Sequence, residues 1–344
     1  MALGNRSDRR IVTLRDVAQH AGVSISTASR VLSGGQYASE DATKRVTAAV
    51  EVLDYRANES ARALRRARTM TFGVVYHQLR NPTVLDSLEG VESGADECGY
   101  SVLVTSARDS TERYVSLIRR LMERRVDAIL LSNPTDAALD EINYARDTGI
   151  PVIAMATRSD GLSHIPMVHA PAREKIFEMV KDLAARGHES LAFVGAIRGA
   201  QGNGLPSLTE AALAHGMRRI DEPARDYGED AAMKALDSLL ARRDRPTVLM
   251  VLNRNLSATL ARLSDRGFRV PEDISVVNFN DSSSRATTGL VAEIHVDHHP
   301  VGYQSARVAA AWVQGKEPEN RRALAIAEWI PAPSLGPAPV RVPA

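Results

Sequence analysis

The side chains best suited to chemistry near the start of this chain are short hydroxyls grouped around one arginine. They are Ser24, Ser26, Thr27, Ser29 and Arg30. Hydroxyls bind phosphate oxygens through hydrogen bonds, and an arginine can pair with a guanine through two parallel bonds. On one exposed helix face, such a group suits the major groove of DNA.

A short amphipathic helix is predicted just before this group. Its apolar residues recur at i, i+3, i+4 and i+7, as Leu14, Val17, Ala18 and Ala21. Asp16 suits the positive end of the helix dipole. Gly22 follows where the helix ends and the chain must turn through a positive φ.

Ser24 is predicted to cap a second helix. The apolar side of that helix is Ala28, Val31 and Leu32, which leaves Ile25, Ser26, Thr27, Ser29 and Arg30 facing outward. A third helix is expected to begin near Ser39 and to bury Val46, Val50 and Leu53. The first two helices read as a helix-turn-helix. The alternative is an ordinary three-helix subdomain with a solvated polar face.

The charge distribution favours the DNA-binding alternative. Residues 1–70 hold 12 Lys and Arg against 7 Asp and Glu, a net charge of +5, whereas the whole chain carries +1. The remaining residues are therefore at −4. A basic excess confined to one module is the electrostatic footprint of nucleic-acid binding.

The basic, helix-prone segment 56–68 is too short to be stable as a helix alone in water. With it, residues 13–68 closely resemble the DNA-binding headpiece and hinge of the LacI/GalR family of bacterial repressors. The shared pattern is T-L-x-D-V-A-x-x-A-G-V-S-x-x-T-x-S-R-V-L, followed by K-R-V, L-x-Y, N and A-R-x-L.

This resemblance implies the contacts with an operator. Ile25, Ser26 and Arg30 would read major-groove bases. The DNA backbone would be contacted by Thr13, Ser24, Thr27, Ser29, Asn58 and Ala61. In the family the hinge folds on the operator and a leucine wedges into the minor groove, and Leu64 occupies that position. The alternative for Leu64 is an apolar contact within a linker.

Composition predicts an ordinary soluble protein of two or three domains, with 344 residues, 44% apolar and 25% charged. The start MALGNRSDRR lacks an apolar segment, so we expect no signal peptide. No stretch of about 20 apolar residues predicts a membrane span. Cys98 is the only cysteine, which excludes an internal disulfide. A cytoplasmic location fits these features.

From residue 70 onward, short apolar strands alternate with amphipathic helices, which indicates parallel sheets covered on both faces. The resemblance implies the same architecture. The predicted fold is an all-α three-helix helix-turn-helix headpiece plus an α/β, periplasmic-binding-protein-like core of two doubly wound parallel-sheet subdomains. We expect a disordered tail at 1–11, the headpiece at 12–57, the hinge at 58–69, the core at 70–335 and a disordered tail at 336–344. The core would divide into 70–165 with 299–325, and 166–295, and the Pro-rich end from Pro331 is expected to lack structure.

The loops at the carboxyl ends of the strands should hold an effector. The resemblance implies that sugar-binding members carry several charged or amide pairs there, where this chain has Ala156-Thr157, His169-Ala170, Asn253-Arg254 and Asn280-Asp281. An expected aromatic residue is replaced by Thr83-Val84, and an expected arginine by Leu205. Because sugars are gripped by such bidentate groups, we expect an atypical effector or none. The candidate cleft residues are His169, Asn253, Arg254 and Asn280. Each could instead be a solvated loop residue.

The preferred function is a transcriptional repressor that binds double-stranded DNA at a palindrome as a homodimer. A solute-binding protein and an α/β enzyme are the alternatives. No G-x-S-x-G, H-E-x-x-H or P-loop motif occurs, so no catalytic residue and no cofactor is predicted. His298-His299 lacks a third ligand at useful spacing, so no metal site is predicted. No leucine heptads predict a C-terminal coiled coil.

Overall fold

The computed structural model describes residues 12–32, 39–55, 68–80, 82–108, 110–155, 162, 164–195, 204–220, 229–252, 255–281, 289–318, 321–324 and 327–339. The chain divides into two compact units, Met1–Thr69 and Met70–Ala344. This division falls where we expected the hinge to meet the core. In the part of the chain described, no helix has the length and apolar character needed to cross a membrane.

Three helices form the headpiece, as predicted: α1 (Leu14–His20), α2 (Ile25–Leu32) and α3 (Glu40–Val52). Ser39 caps α3, because its Oγ accepts a hydrogen bond of 3.2 Å from the backbone N–H of Ala42. Val17, Ala28 and Val46 are fully buried, one from each helix, and they form the centre of the small core.

The elements of the core follow in chain order. They are β1 (Thr71–Tyr76), α4 (Pro82–Glu97), β2 (Ser101–Ser106), α5 (Thr111–Glu123), β3 (Ala128–Ser132), α6 (Leu139–Asp147), β4 (Val152–Met155), β5 (Met167–His169), α7 (Arg173–Ala185), β6 (Ser190–Val194), α8 (Gly204–Ala214), β7 (Arg218–Arg219), α9 (Glu229–Leu240), β8 (Val248–Leu252), α10 (Leu256–Asp265), β9 (Ser275–Asp281), β10 (Ala292–Val296), α11 (His299–Val313), β11 (Arg321–Ala323) and β12 (Ala327–Ile330).

The first half of the core is a parallel sheet with the strand order β11-β5-β4-β3-β1-β2. Helices α4 and α11 cover one face of it, and α5 and α6 cover the other. Strands β1, β3 and β4 are almost wholly buried, as their unbroken apolar runs require in a sheet covered on both faces.

The second half repeats this order as β12-β10-β9-β8-β6-β7. Here α7 and α8 cover one face, and α9 and α10 cover the other. Strand β12 runs antiparallel to β10, and the other neighbours are parallel. The predicted fold class, a helical headpiece with an α/β core of two mainly parallel sheets, is confirmed.

The predicted division of the core was wrong at its edges. We expected the second half to begin at residue 166, but β5 (167–169) belongs to the first sheet, while β12 (327–330) joins the second. The chain therefore passes between the halves after β5, after β10 and after β11. Strands of three or four residues are too short to show a period-two pattern, which is why β5, β11 and β12 were missed.

The Pro-rich end was also predicted wrongly. Residues 331–339 pack on the second half instead of being disordered, including 336–339 of the predicted tail. Leu335 is buried among the apolar residues under α7, and the N–H of Gly336 donates to Ser275 Oγ at 3.1 Å. The predicted tails at 1–11 and 340–344 lie outside the described residues. Because proline has no N–H group, a Pro-rich segment can form few backbone hydrogen bonds of its own. This segment is ordered where side chains and carbonyl groups of the second half bond to it.

Candidate DNA-reading surface and effector cleft

The start of α1 is fixed by a reciprocal cap. The backbone N–H of Thr13 donates to Asp16 Oδ2 at 2.8 Å, and Thr13 Oγ1 accepts from the backbone N–H of Asp16 at 3.4 Å. Two N–H groups that the helix cannot satisfy are thereby bonded. Thr13 itself stays exposed, in the position of a predicted phosphate contact.

The turn between α1 and α2 depends on backbone conformation. Gly22 has φ +64°, and a Cβ added there would meet nothing closer than an Arg45 nitrogen at 3.5 Å. The glycine is therefore required by the left-handed backbone and not by lack of space. This turn sets the direction in which α2 leaves α1.

Three hydroxyls cluster at the first turn of α2. Ser24 Oγ accepts from the backbone N–H of Thr27 at 3.1 Å, which makes Ser24 the predicted cap. The same oxygen lies 2.8 Å from Ser26 Oγ and 2.8 Å from Thr27 Oγ1. The positive end of the helix dipole lies at the same place, so the cluster is well formed to receive a phosphate.

The outward face of α2 carries the predicted base-reading residues. Ile25 is 44% exposed, and Ser26 and Arg30 are exposed as well, whereas Ala28 is fully buried. Ser29 and Thr27 are half-buried, so they lie at the edge of this face. Ile25, Ser26 and Arg30 are thus free of the headpiece core and open to a partner on this side of α2.

The predicted hinge contacts Asn58, Ala61 and Leu64 lie outside the described residues. The same holds for Asn253 and Arg254 of the predicted effector cleft. Asn280 lies in β9 near its carboxyl end, and His169 is the last residue of β5. His169 is half-buried, and its carbonyl accepts from the N–H of Leu324 at 2.8 Å. The structure thus places His169 on the first sheet and Asn280 on the second, each near the strand end where a ligand would bind.

The carboxyl ends of the first sheet are linked by residues that the sequence did not reveal. His77, which follows β1, has its Nε2 2.9 Å from the carbonyl oxygen of Asn133, which follows β3. The His77 ring stacks on Tyr114 of α5 at 4.5 Å between centroids. Tyr114 donates from its hydroxyl to the Ser132 carbonyl at 3.0 Å, and burial raises its pKa well above the usual value. The phenol therefore ties the end of β3 to α5, while His77 ties the end of β1 to the residue after β3.

In the second half, buried ionisable groups lie on β10 and directly after it. Glu293 on β10 is buried, and its carboxylate lies 3.8 Å from Nδ1 of His295. Asn278, its neighbour on β9, is also buried. His298, where the chain leaves this sheet, is buried, and desolvation lowers its pKa from 6.5 to about 4. No sequence pattern indicated the burial of these residues, because it depends on the neighbouring strand β9 and on the chain that follows β10.

In the described part of the chain, no group of three or more His, Cys, Asp or Glu side chains is placed to hold a metal ion. The two side chains of the His298-His299 pair differ in burial, since His298 is buried and His299 is half-buried.

Two family models match the chain. "Bacterial regulatory proteins, lacI family" matches residues 13–58, and "Periplasmic binding proteins and sugar binding domain of LacI family" matches residues 69–332. The chain is 29% identical to the transcriptional repressor PurR of Vibrio cholerae over 321 residues, which span 90% of this chain and 94% of the relative. It is 27% identical to the catabolite control protein A of Priestia megaterium over 281 residues, which span 79% and 83%.

Solved structures show the same fold. The lac repressor dimer bound to operator and an anti-inducer superposes with a TM-score of 0.83 at 23% identity, over 95% of this chain and 100% of that one. The regulator CelR in complex with cellobiose gives a TM-score of 0.68 at 24% identity, over 94% and 99%. The family models match the helical headpiece, in which α2 exposes its outward face, and almost all of the two-sheet core. The chain therefore belongs to the LacI family of bacterial regulatory proteins and is a DNA-binding transcriptional regulator.

Proposed function

We propose that this regulator represses transcription in the cytoplasm by binding a palindromic operator as a homodimer. The observation that carries the proposal is the face of α2, where Ile25, Ser26 and Arg30 are exposed above the fully buried Ala28. Two such faces related by a two-fold axis would read the two halves of a palindrome, which multiplies both affinity and specificity.

The contacts divide into reading and positioning. Arg30 pairs with a guanine, and Ile25 and Ser26 contact neighbouring base edges. Phosphates are held by the hydroxyls of Thr13, Ser24, Thr27 and Ser29. In the hinge, Leu64 enters the minor groove, and Asn58 and Ala61 lie against the backbone beside it. These assignments follow the family resemblance, and the exposure and clustering of the α2 residues support them.

The core senses a small molecule at the carboxyl ends of the two sheets, with His169, Asn253, Arg254 and Asn280 as candidate contacts. Its chemistry differs from that of an ordinary sugar site, because charged and amide pairs typical of sugar-binding relatives are replaced. Binding would shift the relation between the two halves, and with it the spacing of the hinges. No catalytic residue is part of this proposal.

Genome-wide mapping of bound DNA supplies the operator, and a pair of arginine variants then tests the reading face. Arg30→Ala should weaken operator binding by about ten-fold to a hundred-fold, the worth of one bidentate base contact, and leave non-specific binding nearly unchanged. Arg45→Ala is the charge-matched control, since Arg45 lies on α3 in an ion pair with Asp41. It should alter specific and non-specific affinity to the same extent. An equal effect of both variants on the two affinities would contradict the assignment of Arg30.

Two further measurements separate the parts of the proposal. Leu64→Ala should reduce specific operator binding far more than non-specific binding, because a wedge acts only in the bent complex. Calorimetric titration with common mono- and disaccharides should give no micromolar binding. A micromolar sugar would overturn the assignment of an atypical effector while leaving the DNA-binding proposal intact.

A further inference from the structure

A polar cavity of about 490 Å³ opens on the first half of the core, away from the predicted effector contacts. It lies between the last turns of α6 and the end of α11. Its walls are Asn143, Arg146, Asp147, His164, Trp312 and Glu317. The volume falls within the range of small-molecule sites, roughly 300–1,000 Å³.

The cavity contains a cation that is partly withdrawn from water. The Nε of Arg146 is buried, and among the groups that the structure describes none accepts a hydrogen bond from it. Other arginines of the same half are paired, as Arg119 is with Glu141 and Arg307 with Glu97. A guanidinium is always charged, and burying one of its donors without an acceptor costs free energy. The guanidinium as a whole lines the cavity, so an anionic group held there could pair with its other nitrogens.

The remaining walls restrict what that ligand can be. The indole of Trp312 gives a flat apolar wall with one N–H donor. Asp147 and Glu317 are exposed carboxylates at the same cavity, and they would repel a purely anionic ligand. His164 is held in place, because its Nε2 lies 2.9 Å from Asn143 Oδ1. The guanidinium, the two carboxylates and the apolar wall together suit a zwitterionic ligand, which carries one positive and one negative group.

A second cavity of about 440 Å³ shares Glu317 with the first. Val308 and Ala311 of α11 and Val168 of β5 contribute apolar walls to it. A ligand whose ammonium lies at Glu317 could therefore extend an apolar part along α11. A short hydrophilic zwitterion would leave this second space unfilled.

We propose that this pair of cavities is a second ligand site, distinct from the cleft, which binds an amino acid with an apolar or aromatic side chain. Arg146 takes the carboxylate, Glu317 and Asp147 take the ammonium, and Trp312 packs on the side chain.

Fluorescence of Trp312 tests the proposal directly. The chain has two tryptophans, so Trp329→Phe leaves Trp312 as the only indole. In the full-length protein with this change, we expect saturable quenching or a spectral shift with apolar and aromatic amino acids below about 1 mM. We expect no change with aspartate or glutamate, whose side chains are charged instead of apolar, or with the matching amino-acid amides, which lack the carboxylate.

Arg146→Gln in the same background should raise the dissociation constant at least about ten-fold. Arg120→Gln, on the exposed side of α5, is the matched control and should leave it within about two-fold. Circular dichroism and the melting temperature establish that both variants are folded. The proposal is overturned if no amino acid gives a saturable signal up to about 10 mM, if Arg146→Gln binds as the parent does, or if amides bind equally well.

Discussion

In the first half of the core, α4 and α11 pack backbone against backbone, whereas in the second half the C-terminal segment makes the closing contacts. The two sheets have equivalent strand orders, so topology does not explain the difference. In the first half, Gly90, Gly94 and Gly302 leave no room for a Cβ. In the second, Ser334 and Gly336 are held by polar bonds. These two closures thus differ, one resting on close backbone packing and the other on hydrogen bonds, and they should respond differently to perturbation.

Gly302→Ala should have the largest effect. A Cβ on this residue would fall on the carbonyl oxygen of Ser87 and within 2.8 Å of the backbone nitrogen of Val91. Because both neighbours are backbone atoms, they cannot rotate away. We expect a loss of about 3 kcal/mol or more in the free energy of unfolding, at or above the upper end of ordinary overpacking.

Denaturant unfolding of the full chain measures this loss, with Gly315→Ala as the control. Gly315 has φ +91° and nothing within 4 Å of an added Cβ, so alanine there should cost only backbone strain, about 1 kcal/mol. If the two variants lose equal stability, crowding between α4 and α11 is not what closes the first half.

His298, at a passage between the halves, should make stability depend on pH. Its folded-state pKa is lowered from 6.5 to about 4, so folding favours the neutral ring. The stabilising contribution is therefore complete above pH 6.5 and is lost as the pH falls towards 4. The shift corresponds to about 3 kcal/mol in total.

Unfolding free energies measured between pH 7.5 and 4 check this linkage. His298→Gln and His298→Asn should both flatten the dependence by most of this amount, whatever each costs at neutral pH. A variant that keeps the wild-type slope would show that other groups carry the acid sensitivity.

The sequence predicted those parts of the fold whose causes are local. Ser24 and Ser39 each cap a helix through a bond to the residue three positions on, so a short pattern reveals them. The long apolar runs of β1, β3 and β8 were equally legible. The packing of residues 331–339 could not be predicted in this way. His188 lies 148 residues from Gly336 in the chain, and no local pattern encodes their contact.

The candidate sites also differ in whether their residues are grouped by local or by long-range contacts. The outward face of α2 could be deduced from helical periodicity, since Ala28, Val31 and Leu32 share one side and Ser26 and Arg30 lie on the opposite side. In the cleft, His77 and Asn133 meet across 56 residues, and Tyr114 reaches Ser132 from another helix. Such groupings depend on strand order, which single-strand patterns do not contain.

Ser334→Ala tests the closure of the second half by polar bonds. Ser334 Oγ donates to the Val276 carbonyl at 2.6 Å and accepts from the Ala292 N–H at 2.8 Å. Alanine leaves both buried groups without this partner, which should cost about 2 kcal/mol. Hydrogen exchange should quicken in β9 and β10 and stay unchanged in β1 and β3. Ser93→Ala, on the exposed side of α4, is the control, and faster exchange in both halves would show that they do not respond separately.

Tyr114→Phe should have the smallest effect and is confined to the first half. It removes the hydrogen bond to the Ser132 carbonyl but keeps the ring on which His77 stacks. Only one hydrogen bond is removed and the aromatic contact persists, so we expect the free energy of unfolding to fall by about 1 kcal/mol. Tyr114→Leu, which also removes the stack, should cost more and should broaden the amide signals of His77 and Asn133 in NMR spectra. If Tyr114→Phe broadens them as much, the hydroxyl and not the ring joins the two strand ends, and the first half would then depend on hydrogen bonds as the second half does.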